Sequence, residues 1–232
     1  MMKKLAVAVA TASTLSFANM AHAETFDTAI GQVDTSMNVT LASQYIWRGQ
    51  SQTNGDGAIQ GGLDFAHESG IYVGAWASNV DETDLGASVE FDYYAGFAGE
   101  ITDDISYDLS WWAYEYPGAG EASYEYAAAM GAYGFSAGAK YTYHNADNMY
   151  YHVGYDLTLP YDIGLGFHYG DSHDKTGDGI DYNDWAATLS KNALGLDWAI
   201  MYSDTDISKD DCGYQSYDSC DTNLTLSVSK TL

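Results

Sequence analysis

The stretch Ser88–Gly99, SVEFDYYAGFAG, decides the fold because its side chains alternate with a period of two. Phe91 and Phe97 occupy odd positions, whereas the acids Glu90 and Asp92 occupy even positions. A helix would spread the two acids around the same surface as Phe91, but a strand places both carboxylates on one face and the apolar residues on the other. The stretch therefore predicts a β-strand with one polar and one apolar face.

The same alternation recurs along the chain and predicts twelve strands. The apolar face is the odd-numbered face in most of them, and the third strand is ambiguous because both Val73 and Trp76 favour burial. The predicted strands lie near residues 36–48, 58–67, 71–79, 88–98, 105–115, 122–132, 135–144, 149–159, 163–170, 183–191, 195–204 and 222–232.

The connections between these strands are of two kinds. Those after even-numbered strands are short, such as ESG, YG and NALG, whereas most after odd-numbered strands are long and polar, such as GQSQTNGDG and the segment 205–221. The short NADN link is the exception. Short turns on one side and long loops on the other are typical of transmembrane barrels.

The outward aromatic residues also separate into two groups. Predicted near the long loops are Trp47, Trp111, Tyr124, Tyr143, Tyr151, Tyr169, Trp185 and Tyr202, and near the short turns Phe65, Phe97, Tyr107, Phe135 and Trp198. Two aromatic belts suit the two headgroup levels of a bilayer. A soluble sandwich would instead have to bury the apolar face against a second sheet. We therefore predict an all-β fold: a single antiparallel up-and-down transmembrane β-barrel of about 12 strands, with short periplasmic turns and longer extracellular loops.

The N-terminus has the features of a secretory signal peptide. Lys3 and Lys4 precede a short apolar run, and the sequence AHA ends at Ala23. The run is too short to span a membrane, which argues against the alternative of a retained anchor. The predicted organisation is a cleaved signal peptide over 1–23, a periplasmic segment over 24–35 and a barrel over 36–232, in the outer membrane of a Gram-negative bacterium.

Composition excludes two functional classes. The chain has 33 Asp and Glu against 8 Lys and Arg, a formal net charge of −25, so the phosphate backbone of a nucleic acid would be repelled. Aromatic residues make up 15% of the chain, which is far too many for a disordered protein.

The inward faces of the predicted strands are polar and acidic. The candidate lumen and selectivity residues are Arg48, Gln60, Asp64, Glu90, Asp92, Asp108, Glu125, Lys140, His152, Asp156 and Asp184. Because acids outnumber bases, any pore is expected to favour cations or zwitterions. The alternative is that these acids only solvate the lumen. Twelve strands predict a lumen that is narrow or plugged, since about eight give a filled interior and sixteen or more a wide channel.

Arg48 is the only arginine of the chain. Alternation predicts that Trp47 faces lipid, so that Arg48 points into the lumen just below the extracellular mouth. Its expected neighbours are Gln60 and Asp64, with acids of more distant strands also in reach. Two roles follow: a salt-bridge anchor that holds the mouth in shape, which we favour, or a selectivity element opposing the acidic wall.

Cys212 and Cys220, the only cysteines, lie in the last long loop of an exported chain and predict a disulfide. Two cysteines alone are a weak zinc signal. The segment 174–181, DKTGDGID, lacks the full EF-hand spacing and predicts at most weak divalent-cation binding that bridges lipopolysaccharide phosphates.

The sequence contains few features typical of enzymes. The chain has no Gly-x-Ser-x-Gly, P-loop or His-Glu-x-x-His motif, so we predict a protein that is not an enzyme and needs no cofactor. The alternative is a barrel lipid hydrolase that uses His152 with Asp156, or His168 with nearby acids.

Three motifs carry a resemblance to a known family: Arg48-Gly49-x-Ser51, Gln60-Gly61-Gly62-x-Asp64 and Trp76-x-Ser78-Asn79-Val80. On the basis of these motifs and of its terminal β-strand, the chain resembles the proteobacterial TorF-type porins over nearly all its mature length. The resemblance implies an outer-membrane barrel in contact with lipid and lipopolysaccharide. Its expected function is passive diffusion of small hydrophilic solutes. The alternative is a closed or plugged barrel whose acidic extracellular loops bind a partner.

Overall fold

A computed structural model describes residues 24–232, so the predicted signal peptide and its cleavage site at Ala23 lie outside the described residues. Within this range the fold is almost entirely β. The strands are β1 (Glu24–Thr28), β2 (Gly31–Ala42), β3 (Ile46–Trp47), β4 (Gln50–Ser51), β5 (Ala58–His67), β6 (Ile71–Asn79), β7 (Val89–Thr102), β8 (Ile105–Glu115), β9 (Ser123–Ala132), β10 (Phe135–Tyr143), β11 (Asn148–Leu159), β12 (Ile163–Asp174), β13 (Tyr182–Ala193), β14 (Leu196–Thr205) and β15 (Asn223–Thr231). A one-turn helix, α1 (Glu82–Leu85), and a 3₁₀ turn at Tyr217–Ser219 lie in loops.

Twelve of these strands form a closed antiparallel barrel, which confirms the predicted fold. From β5 to β15 each strand pairs with its neighbour in sequence, and β2 closes the ring by pairing with both β15 and β5. At the closure, Leu41 lies opposite Val228 on one side and Ile59 on the other. Because closure leaves no free edge, the strand backbone hydrogen bonds are satisfied within the wall. In the described part of the chain, no helix is long and apolar enough to cross a membrane.

Side chains alternate between the outside and the inside of the wall. Phe91 and Phe97 are exposed on the outer surface, whereas Glu90 and Asp92 of the same strand are buried inside. The ambiguity in β6 is settled, because Val73 is exposed outside and the Trp76 ring packs inside the barrel against Tyr45. The apolar outer face and polar interior are those of a transmembrane barrel.

The outer aromatic residues form two rows of mutual contacts. At the long-loop end the rings of Trp111 and Tyr124 are 5.6 Å apart. At the short-turn end the centroids of Phe97 and Tyr107 are 5.8 Å apart. These separations are typical of packed aromatic pairs, so each row reinforces neighbouring strands at one rim.

The first predicted strand, 36–48, is wrong at both ends. The observed strand β2 spans Gly31–Ala42, and β1 pairs with its first residues, so part of the expected periplasmic segment 24–35 is paired β-structure. At the other end the chain leaves the wall after Ala42. The tract Tyr45–Trp47 has three consecutive large apolar residues, which cannot all share one face of an alternating strand.

Residues 43–57, which we call the inner hairpin, fold into the barrel instead. Strands β3 and β4 pair across a two-residue turn at Arg48 and Gly49, whose φ angles are both positive (47° and 79°), as a tight hairpin requires. Ile46 packs on Ala186 and Met201 of the wall. The expectation that Trp47 lies in the lipid-facing belt is therefore wrong, because Trp47 belongs to this internal element.

Glycines on the inner wall make room for aromatic rings from adjacent strands. A Cβ atom at Gly74 would lie 2.3 Å from Cε2 of Tyr94, and one at Gly96 would lie 2.4 Å from Cζ of Tyr72. The two rings therefore lie flat against backbone that carries no side chain. This close approach is a packing role for glycine that periodicity alone does not reveal.

We expect Gly74→Ala to destabilise the barrel, because the added methyl group displaces Tyr94 from its 4.3 Å stack on Trp112. The predicted loss of unfolding free energy is about 1–3 kcal/mol, the usual range for overpacking. Urea unfolding in micelles, followed by tryptophan fluorescence, measures it. Ala75→Val, on the outward face of the same strand, is the control. Equal midpoints for Gly74→Ala and the parent protein would show that Tyr94 relaxes without cost.

Candidate functional site

Glu125 is the centre of a buried charge cluster in the upper lumen. Its side chain is fully buried and forms ion pairs with Arg48 and Lys140, the latter at 3.3 Å between Nζ and Oε1. The hydroxyls of Thr142 and Tyr114 also donate to the carboxylate, each at 3.0 Å. One carboxylate thus receives two cations and two neutral donors, which is the arrangement a buried charge needs.

Arg48 enters this cluster from the tip of the inner hairpin. Its guanidinium carbon lies 4.3 Å from the ring centroid of Trp47 and 4.1 Å from that of Tyr150. Cation–π contacts on both sides and the ion pair with Glu125 hold the tip against strands β9 and β11. Arg48 does point into the lumen, as predicted. Its partner is an acid of a distant strand, one of the alternatives left open, rather than Gln60 or Asp64.

A second polar group adjoins Tyr150. Its hydroxyl donates to Asp184 Oδ2 at 2.9 Å and lies 2.8 Å from Nε2 of His168. Nε2 of His168 is also 3.1 Å from Asp184 Oδ1, and the His152 ring stacks on His168. The third member of this His–carboxylate group is therefore a phenol, and in the described structure no serine hydroxyl contacts it.

Phenols and carboxylates are interleaved on the wall formed by β5 to β8. Three hydroxyls donate to inward acids: Tyr116 to Glu90 at 2.9 Å, Tyr94 to Asp64 at 2.5 Å, and Tyr72 to Asp108 at 2.6 Å. This wall faces the interior with four acids, the three acceptors and Asp92. The tyrosine hydroxyls supply single hydrogen bonds but no compensating positive charge.

Glu90 and Asp92 are the most deeply buried acids of this wall. They are only 2% and 6% exposed, and Glu90 Oε2 and Asp92 Oδ1 have no hydrogen-bond partner in the described structure. Arg48 and Lys140 are both paired with Glu125 instead. An unpaired buried carboxylate is costly, so these two acids are poorly stabilised in the charged form where they stand.

All the predicted lumen residues face the interior, but they do not form one cluster. Arg48, Glu125 and Lys140 meet, and His152 and Asp184 both adjoin His168. Gln60, opposite Thr40 and Ser78 in register, is buried apart from them. Asp156 is exposed inside the barrel towards the short-turn end, where many neighbouring inward residues are glycines: Gly131, Gly138, Gly154, Gly164 and Gly166. The lumen is therefore filled at the level of the inner hairpin, whereas Asp156 below it is exposed.

Sequence reasoning missed the residues that the inner hairpin brings to the site. Asn148 approaches the guanidinium of Arg48 at 3.5 Å, and Gln50 donates to the Tyr182 hydroxyl at 2.8 Å. The signal available was the break in alternation at Tyr45–Trp47, which shows that the strand ends earlier. The predicted disulfide between Cys212 and Cys220 is confirmed, with a Cα–Cα distance of 6.0 Å.

We expect Glu125→Ala to be among the most destabilising single substitutions in the lumen. It leaves Arg48 and Lys140 buried together without an anion, and removing one partner of a buried pair costs about 3–5 kcal/mol. Chemical unfolding of the purified barrel measures this loss. Glu121→Ala is the matched control, because that glutamate is 79% exposed near the start of the same strand. If the two variants unfold at the same denaturant concentration, the cluster does not hold the inner hairpin.

Comparison with known proteins gives one family match and several structural matches for the chain. Residues 27–232 match the model of a family described as a bacterial protein of unknown function, Gcw_chp. Among solved structures, NanC porin aligns with a TM-score of 0.60 at 8% identity, and KdgM porin with 0.58 at 11% identity; each alignment covers 84% of this chain and 98% of the porin. A structure of KdgM porin in complex with disordered oligogalacturonate gives 0.55 at 9% identity over the same shares. Comparison with curated protein sequences gave no match.

At such low identities the likeness concerns the fold alone. The family match covers nearly all of the described residues, and the structural matches share the closed antiparallel barrel. The chain therefore belongs to the Gcw_chp family of bacterial proteins and has a barrel with the fold of the KdgM and NanC porins.

Proposed function

We propose that this protein is an outer-membrane porin that lets small hydrophilic solutes diffuse passively and favours cations or zwitterions. The observation that carries the proposal is the division of the wall into an apolar outer face and an acidic, polar inner face around a lumen. A polar interior needs water or polar solutes in contact with it, because isolated charges are costly in hydrocarbon. The resemblance to TorF-type porins and the porin fold support the same function.

The outer surface supports a location in the outer membrane of a Gram-negative bacterium. Exposed apolar residues such as Leu109, Val153 and Ile200 lie between the two aromatic rows. Lys230 interrupts this outer face, but its ammonium donates to the carbonyl of Gly195 in the short β13–β14 turn. A long side chain that reaches the rim in this way keeps its charge out of the apolar band. The acidic long loops would face lipopolysaccharide and its divalent cations.

The charge distribution supports the preference for cations. The guanidinium of Arg48 and the ammonium of Lys140 are both engaged by Glu125, whereas Glu90, Asp92, Asp64 and Asp108 have no ion pair within residues 24–232. We expect the potential along the β5–β8 wall to be negative wherever these acids are ionised, which attracts cations and repels anions. A polyanion such as the oligogalacturonate of the KdgM complex is the wrong charge for this wall, so we expect a different class of solute.

The inner hairpin supports a narrow passage. It places Tyr45, Ile46 and Arg48 inside a barrel of only twelve strands, and all three are less than 10% exposed. Large solutes have no room at this level, so the proposal is restricted to small ones. The contacts of Arg48 favour its role as an anchor of the hairpin, since its guanidinium is committed to Glu125 and two aromatic rings.

The same burial supports a second candidate function, a plugged barrel whose extracellular loops bind a partner. It differs from the porin in predicting no conductance. His168, the residue most suited to a hydrolase, contacts a phenol and a carboxylate but no serine or cysteine nucleophile in the described structure, so its geometry does not support catalysis.

We expect the purified protein to give discrete conductance steps in planar bilayers. Because the lumen is acidic, the reversal potential in a KCl gradient should have the sign that indicates K⁺ preference. Silent bilayers would favour the plugged barrel, and a Cl⁻ preference would refute the assigned selectivity.

We expect the double variant Glu90→Gln, Asp92→Asn to conduct with a markedly smaller K⁺ preference, because it removes two buried acidic groups and keeps the side-chain shapes. The reversal potential should move towards zero. Asp178→Asn, in an exposed loop, is the control and should leave it unchanged. An unchanged reversal potential in the double variant would show that selectivity is set elsewhere.

Arg48→Ala distinguishes the two roles of the arginine. As an anchor, its loss leaves Glu125 with Lys140 alone and frees the hairpin tip, so we expect a lower unfolding temperature in heat-modifiability gels. Conductance should also become larger and noisier. A fully stable barrel in which only the ion selectivity has changed would instead identify Arg48 as a filter.

A further inference from the structure

We propose that the last long loop, residues 206–222, is a disulfide-bonded lid that docks on the inner hairpin and closes the mouth of the barrel, so that its release controls access to the lumen. The effect on transport rests on the porin function proposed above. The docking itself depends only on contacts within the described chain.

The lid is fastened to the inner hairpin by side-chain hydrogen bonds. The Tyr214 hydroxyl lies 2.8 Å from Nε2 of Gln52 and 3.2 Å from its Oε1. The Ser219 hydroxyl donates to Asn54 Oδ1 at 3.3 Å. Gln52 and Ser219 are almost fully buried, which is uncommon for polar residues of surface loops and shows that the two segments cover one another.

A small apolar core beneath the lid includes the disulfide. Cys220 is fully buried, and it packs with Ile207 and with Tyr182 of the wall. Cys212, Tyr214 and Tyr217 surround this group. The Tyr182 hydroxyl also accepts a hydrogen bond from Gln50 of the inner hairpin, so the wall, hairpin and lid meet at one point.

The lid also reaches another loop across the mouth. The backbone N–H of Gln215 donates to Asp84 Oδ1 of α1 at 2.8 Å. The lid joins β14 to β15, whereas α1 lies between β6 and β7, with β2 and β5 between them in the wall. Asp81, which caps α1, donates its own N–H to the carbonyl of Gln52. The lid therefore spans the inner hairpin and connects the β14–β15 side of the rim with the β6–β7 side.

The disulfide gives the lid its preferred shape. It joins residues eight apart in sequence and so restricts the conformations that the free loop can adopt. The docking contacts are a few hydrogen bonds, each worth only about 1 kcal/mol net, and the one small apolar cluster around Cys220. A loop held in this way can lift without unfolding the barrel, since strand pairing does not depend on it.

The first test measures access to the hairpin beneath the lid. Ser51 is 1% exposed, so Ser51→Cys reports on lid opening through its rate of reaction with a hydrophilic maleimide in detergent solution. We expect labelling to be at least tenfold faster in the Cys212→Ser, Cys220→Ser background and with Tyr214→Ala than with the native lid. Mass spectrometry confirms that the native disulfide is intact in the Ser51→Cys protein.

Two controls make the result specific. Asp178→Cys, in an exposed loop away from the lid, should label at the same rate in every background. Heat-modifiability gels should show a folded barrel for each variant, because none of the substitutions lies in a strand of the barrel. Equal labelling of Ser51→Cys with and without the lid disulfide, and with Tyr214→Ala, would overturn the proposal.

Bilayer recordings on the same proteins separate the lid from the porin function. Faster labelling with higher conductance in the lid variants supports a lid on a pore. Faster labelling with silent bilayers in every protein keeps the lid and refutes the porin. Conductance that is present but unaffected by the lid variants, with unchanged labelling, refutes the lid and keeps the porin.

Discussion

Closure of the sheet is the constraint on which the rest of the structure depends. In hydrocarbon each backbone N–H and C=O must be bonded within the protein, and β2 meets this requirement by pairing with both β5 and β15. Once the sheet is closed, the period of two assigns each side chain to lipid or to lumen. The acids of β7 must then face inward because Phe91 and Phe97 face outward. The acidic interior is therefore a consequence of the same alternation that builds the wall.

A second requirement is that the lumen of the closed barrel be filled by side chains or by water, and the inner hairpin fills part of it. At its level the lumen is filled by side chains, and the central charge of this packing is Glu125, fully buried and shared by Arg48 and Lys140. Removing such a carboxylate would leave two buried cations, so the hairpin and three wall strands depend on it together. Below the hairpin, neighbouring side chains such as Ser136 and Ser190 occupy the space beside the inner glycines, and Asp156 is exposed.

Alternation in the sequence was sufficient to predict the twelve strands, their faces, the aromatic rows and the inward orientation of the lumen residues. It did not predict the inner hairpin, because Trp47 and Arg48 fit the outward and inward faces of one continuous strand even though Tyr45–Trp47 interrupts the alternation. The partner of Arg48 also could not be chosen from the sequence. Residues 48 and 125 are far apart in the chain, and which strands face one another across a lumen depends on three-dimensional closure rather than on local pattern.

The arrangement of charge also explains why the chain can carry its single arginine deep in an acidic protein. A guanidinium there could neutralise the β5–β8 wall, but it is held instead by Glu125 and by the rings of Trp47 and Tyr150. Because Arg48 is paired with Glu125, its guanidinium does not pair with Glu90 or Asp92. Anchoring of the hairpin and an acidic inner wall are thus compatible, because one carboxylate on β9 engages the positive charge and leaves the acids of the adjoining β5–β8 wall without an ion pair in the described structure.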